Sequence, residues 1–140
     1  MTIVYDRWTN PSRYSDAEQR NLETCTRMYE EMLFTFDASR IDQYIPADYV
    51  QHSTAATGGR EGLRAFFTDR AERFKDVRMR IVAAFADGDF TIFHIHTIRA
   101  PGDPGMSIID VFRMVNGMVQ EHWEVVQEIP ATLPHANGIF

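Results

Sequence analysis

The sequence has one cysteine, Cys25, among its 140 residues, so no internal disulfide can form and a reducing compartment is permitted. On a helical apolar stripe that thiol is read as a small core residue rather than a nucleophile. Long apolar runs are missing too, and the first residues, MTIVYDRWTNPSRY, hold no basic segment followed by an apolar one. Neither a signal peptide nor a transmembrane helix is expected, which points to a cytoplasmic protein with no membrane partner. Positive charge is scarce: 14 Lys and Arg stand against 20 Asp and Glu, for a net charge of -6. With no basic stripe interleaved with aromatics, nucleic acid is not an expected partner. Familiar catalytic signatures do not occur either. There is no GxSxG elbow, no HExxH and no GxGxxG or Walker spacing, and Gly58-Gly59 is read as the start of a helix. No Cys or carboxylate supports the histidines at short ligand spacing, so no metal is expected, and nothing asks for a cofactor.

What is present is a chain 44% hydrophobic and long enough for one domain with a real core. Residues 1–14 show no period and read as an N-terminal arm; residues 15–140 read as the domain. Ser15-Asp16-Ala17-Glu18 is a capping box, and Leu22, Cys25, Met28, Tyr29, Met32, Leu33 and Phe36 follow at helical spacing. A short helix is predicted over Ser39–Tyr44, ended by Pro46, with DYVQHS leading into a brief extended piece. A third helix, REGLRAFFTDRAERF, carries one apolar stripe. From about residue 77 the period changes to two. Two strands meet at Asp87-Gly88 and two more at Asn116-Gly117, the sequence of a type I′ hairpin. Helices first and a meander of four strands afterwards predict an α+β fold, with the helices on the concave side of a curved antiparallel sheet. Such a sheet leaves a pocket at its open end, where a small molecule is the natural ligand.

One residue is out of pattern. In IIDVFRMVNGMVQEHWEVVQEIP, residues 108–130, Asp110 stands where a strand-former belongs. A regular two-residue hairpin sets Asp110 opposite Trp123, on a face shared with Ile108, Phe112, Met114, Val119 and Val125. A bulge or slip of one residue would change that assignment. A carboxylate there is hydrogen-bonded, protonated, or exposed to a cavity that admits something polar. Pairing with Arg113 or a histidine is the ordinary structural explanation; the chemical one is a proton-transfer group in an aromatic-lined pocket. His94 and His96 project together from one strand, His52 follows a helix terminus and can point into the pocket mouth, and His122 falls on the face away from Trp123. A histidine could then polarise a substrate carbonyl as an enolate develops, with Trp123 and Phe66 as flat apolar walls.

These segments resemble the SnoaL-like group of the NTF2-like superfamily. The resemblance is carried by DYVQHSTAATGGREGLRAFF, by FADGDFTIFHIH, and above all by IDVFRMVNGMVQEHWEVVQEIP, similar to the group's D-[IV]-[FY]-R-x-x-[ND]-G-x-[IV]-x-E-H-W-D-V pattern. The ending HANGIF is similar to the tail of bacterial members described as predicted aldol-condensation enzymes. The resemblance spans residues 15–140 and implies an NTF2-like cone enclosing a deep pocket. It implies Asp110 as general acid/base, His52 at the pocket and Trp123 as the Trp of E-H-W. Glu124 departs from the usual Asp of the pattern. It also implies homodimers through the sheet, which suits His122, Glu124 and Val126 on the face away from the pocket. The expected function is cofactor-independent acid/base catalysis by a cyclase, isomerase, dehydratase or aldol-type lyase acting on a small to medium apolar carbonyl compound. Asp110 and His52 would be catalytic, with Trp123, Tyr49, Phe66, His94, His96 and Phe112 as binding residues. The alternative is a non-catalytic small-molecule-binding protein on the same scaffold.

Overall fold

A computed structural model describes residues 13–140, so most of the expected N-terminal arm, residues 1–12, lies outside the described residues. Helix α1 (Asp16–Met28) starts where the capping box predicts. Ser15 Oγ accepts from the Glu18 amide and Glu18 Oε2 accepts from the Ser15 amide at 2.8 Å, which satisfies two of the donors every helix start leaves free. The helix runs directly into a π-helical turn, Tyr29–Leu33, closed by the Phe34 amide on the Tyr29 carbonyl at 2.9 Å. A 3₁₀ turn (Ala38–Arg40) and a short α2 (Ile41–Tyr44) follow, then strand β1 (Val50–Gln51) and helix α3 (Gly59–Arg73).

The rest of the chain is sheet: β2 (Arg78–Asp87), β3 (Phe90–Ile98), β4 (Met106–Val115) and β5 (Met118–Glu128), in the order β1-β5-β4-β3-β2. The four long strands form the predicted antiparallel meander. The departure is β1, which pairs parallel to β5, so the curved sheet is mixed rather than purely antiparallel. Two residues suffice for that edge because α3 and the whole meander separate β1 from its partner, as a parallel connection requires.

Asn116 and Gly117 both take positive φ, 50° and 75°, with Val115 facing Met118, which is the predicted I′ turn. The β2–β3 turn is displaced by one residue: Asp87 pairs with Phe90, leaving Gly88 and Asp89 as the loop. Glu18 Oε1 accepts the Gly88 amide at 2.8 Å and ties the start of α1 to this turn.

Two bulges decide which side chains face inward. Beyond the hairpin, Met114 pairs with Val119 but Arg113 pairs with Glu121, so Gln120 is an extra residue in β5. Asp110 therefore lies opposite Glu124, not Trp123. Val119, His122, Glu124 and Val126 share its face, while Glu121, Trp123 and Val125 turn outward. The second bulge, near Val82, sets His94 opposite Ala83 and His96 opposite Arg80. On β3 the inward residues are Thr91, Phe93, Ile95 and Thr97, all buried, and the two histidines alternate with them on the outer face.

The helices cover the inward face. Leu22, Cys25, Met28, Tyr29 and Met32 pack on Phe93, Phe112, Met114 and Val119. Burial pushes the Cys25 thiol up to about 12, which agrees with its expected role as an inert core residue. Among the described residues, no helix is long and apolar enough to cross a membrane.

Candidate active site

Between α1, α3 and the sheet lies a cavity of about 450 Å³, a normal size for a ligand pocket. Its walls are mostly aromatic and aliphatic, with Tyr49, Phe66 and Phe112 among them as expected. Asp110 lines it while remaining 6% exposed.

Tyr29, at the junction of α1 and the π turn, donates its hydroxyl to Asp110 Oδ2. Its ring is held by Phe93 and Phe112, with centroids 5.0 and 6.0 Å away. Burial, followed by the nearby Asp110 charge, pushes the Tyr29 phenol well above its ordinary value, so the hydroxyl keeps its hydrogen and acts as a donor. The Tyr49 phenol is raised for the same two reasons.

The second Asp110 oxygen meets His122. A chain of hydrogen bonds fixes one hydrogen of this histidine. The Ser53 amide donates to Gln51 Oε1 at 3.0 Å, so that side-chain atom is the amide oxygen. His122 Nδ1 lies 2.8 Å from the same oxygen, and because an amide oxygen can only accept, Nδ1 carries a hydrogen. His122 Nε2 lies 2.8 Å from Asp110 Oδ1. One further hydrogen must sit between these two atoms, either on Nε2 as an imidazolium facing a carboxylate or on Oδ1 as a neutral pair. Phe112 stacks on the imidazole at 4.9 Å and holds its plane. Asp110 and His122 thus share a mobile proton at the wall of an apolar cavity.

Glu124 also lines the cavity and accepts from the Ser53 hydroxyl. Oxygen and nitrogen atoms of Asp110, His122 and Glu124 lie within 4.8 Å of one another, a grouping that sequence spacing did not reveal because the bulge creates it. Each of the three is already engaged in the bonds described. A cation would have to replace the hydrogen held between Asp110 and His122.

Four residues expected in the pocket lie outside its lining. His52 stacks on Trp123 with ring centroids 4.9 Å apart and 6° between planes, and its Nε2 lies 2.8 Å from Glu121 Oε1. Both rings sit on the outer face, because the extra residue Gln120 reverses the inside and outside of β5 from Glu121 onward. His94 Nε2 meets Ser107 Oγ at 2.8 Å, and His96 donates from Nε2 to the Pro104 carbonyl at 3.0 Å. Partial burial, with Arg80 and His96 nearby, lowers the His94 pKa and favours its neutral form. Conversely, His122, Glu124 and Val126, expected on the far face, line the cavity. In the sequence Tyr29 is one member of an apolar stripe, and nothing in its spacing sets it apart from its neighbours.

A SnoaL-like domain profile matches residues 25–122. Solved structures share the architecture at low identity. A candidate polyketide cyclase from Bacillus cereus superimposes with a TM-score of 0.70 at 19% identity, covering 84% of this chain and 80% of its own. A candidate SnoaL-like polyketide cyclase from Jannaschia gives 0.66 at 20%, covering 81% and 89%. AclR, a candidate hydroxylase from Streptomyces galilaeus, gives 0.66 at 18%, covering 81% and 82%. At these identities the likeness establishes the NTF2-like fold. No curated protein matches the chain.

Proposed function

Because the chain belongs to the SnoaL-like family, we propose that it is a cofactor-independent acid/base enzyme acting on an apolar carbonyl compound, with Asp110 as the proton-transfer group and His122 as its partner. The observation that carries this is the 2.8 Å contact between Asp110 and His122 at the wall of a mostly apolar cavity. In the ion-pair form, an Asp110 lone pair not occupied by Tyr29 or His122 takes a hydrogen from carbon next to the substrate carbonyl. The C–H electron pair moves onto the carbonyl oxygen as an enolate, and the adjacent imidazolium stabilises that negative charge. The enolate carbon then either recovers the proton from Asp110 or attacks a second carbonyl, whose alkoxide takes that proton instead. Isomerisation and aldol-type ring closure are the two outcomes.

The reading is tested by hydrogen–deuterium exchange next to the carbonyl of 4-acetylbiphenyl, followed by NMR. Exchange by the wild-type protein above the buffer rate is expected; exchange at the buffer rate counts against the reading. Tyr29→Phe, which takes the buried donor away from Asp110 Oδ2, is expected to lower stability by about 1–3 kcal/mol in a thermal melt. An unchanged melt would mean that Tyr29 only packs.

The outer face of the sheet supports a homodimer. Val125 is 70% exposed, and Ile109 and Phe90 are also exposed beside Trp123. Apolar side chains on the solvent side of a sheet are a common mark of an interface. Val125→Asp is expected to convert a dimer to a monomer in sedimentation velocity, and a wild-type protein that sediments as a monomer would overturn the arrangement.

A further inference from the structure

The cavity extends well past Asp110. Along the sheet, Asp110 sits in the row of Phe93, and Thr97 lies four residues further along β3, about 13 Å away. Thr97 faces inward in the row of Met79 and Met106, lines the same cavity and is 3% exposed. Its hydroxyl oxygen is buried with no hydrogen-bond partner. Buried hydroxyl groups are almost always satisfied, and one left without a partner on a residue that lines a cavity needs only a turn of its side chain to bond whatever fills it. We propose that Thr97 is a second polar contact of the binding site, and that the natural ligand is an elongated, flat, largely apolar molecule with oxygen functions at both ends. This rests on the acid/base reading for the carbonyl end, which lies at Asp110 and His122.

Another residue of the lining indicates which polar group is preferred. Arg70, on α3, lines the cavity with its guanidinium 4.8 Å from the Phe66 ring centre and 5.4 Å from that of Phe74. Among the described residues it pairs with no carboxylate, whereas Arg99, the other arginine of the lining, is held by Asp103 and Glu128. A guanidinium in the lining without a carboxylate partner favours a hydroxyl or acid over an amine as the ligand's second polar group. Aromatic rings braced by a guanidinium also suit a planar ligand body.

Two rigid probes separate the ends: 4-acetylbiphenyl and 4-acetyl-4′-hydroxybiphenyl. Calorimetric titration of the wild-type protein is expected to show the hydroxylated probe binding about tenfold tighter, the value of one satisfied buried hydrogen bond. Thr97→Val, which keeps the shape of the side chain, should bring the two affinities together by weakening the hydroxylated probe alone, and Thr97→Ser should restore the difference. Equal affinities in the wild-type protein, a difference that survives Thr97→Val, or failure of both probes to bind would each overturn the proposal. The two readings fail separately. Discrimination without deuterium exchange leaves the contact standing on a binding protein; exchange without discrimination removes Thr97 and keeps the enzyme.

Discussion

Asp110→Asn is expected to slow exchange on a carbonyl probe by 10²- to 10⁴-fold, the usual contribution of a positioned acid or base, while leaving the fold intact. The bonding pattern explains why both halves of that expectation hold together. With its hydrogen fixed on Nδ1 by Gln51, His122 presents a bare Nε2 that can accept from the new amide NH₂, and the amide oxygen can still accept from Tyr29. Both existing bonds keep a partner, so stability should change by no more than about 1 kcal/mol. What disappears is the transferable proton. Deuterium exchange measured beside a thermal melt checks both parts. Retained exchange with an unchanged melt would assign the proton transfer to another group and leave Asp110 only orienting the ligand.

Phe93→Ala carries the largest expected effect on stability. Phe93 is fully buried, pairs with Asp110 across β3 and β4, and holds the Tyr29 and Phe112 rings at 5.0 and 6.1 Å. Truncating a buried Phe removes its transfer free energy and leaves a void, together about 3–5 kcal/mol. For a chain of this size the midpoint of thermal unfolding should fall by on the order of 10 °C or more. The void would also remove the ring against which Tyr29 packs. A melt within a few degrees of wild type would show that neighbouring side chains close the gap.

Much of the fold was legible in the sequence. Ser15 and Glu18 announce α1 through a local bond pattern, Asn116-Gly117 demands its turn through positive φ, and the change from helical to alternating periodicity separates the layers. Asp110 was also legible, because a lone acid among strand-formers can be noticed without knowing its neighbours. Its true partner was not. Gln120 looks like any outward polar residue, and a bulge has no composition of its own, so counting from the turn carries every later residue of β5 to the wrong face. Hydrophobicity does not correct the count here. The cavity face of β5 bears His122, Glu124 and Glu128, whereas the outer face bears Trp123 and Val125, the reverse of the usual core pattern. On β3, Ile92 on one face and Phe93 and Ile95 on the other leave alternation undecided, which drew His94 and His96 inward. The E-H-W segment held the missing signal: its histidine, not its tryptophan, belongs with the aspartate.

Ser53 joins two events that are usually separate. Its amide orients Gln51 and its hydroxyl holds Glu124, while Ser53 and the small residues that follow it, Thr54, Ala55 and Ala56, border the cavity. Any outward swing of this stretch that widens passage for a ligand also takes the amide away from Gln51. The Gln51 side chain is then free to turn over and present its NH₂ group to His122, which no longer favours a hydrogen on Nδ1. One residue bordering the cavity thereby ties the position of this stretch to the hydrogen that His122 carries.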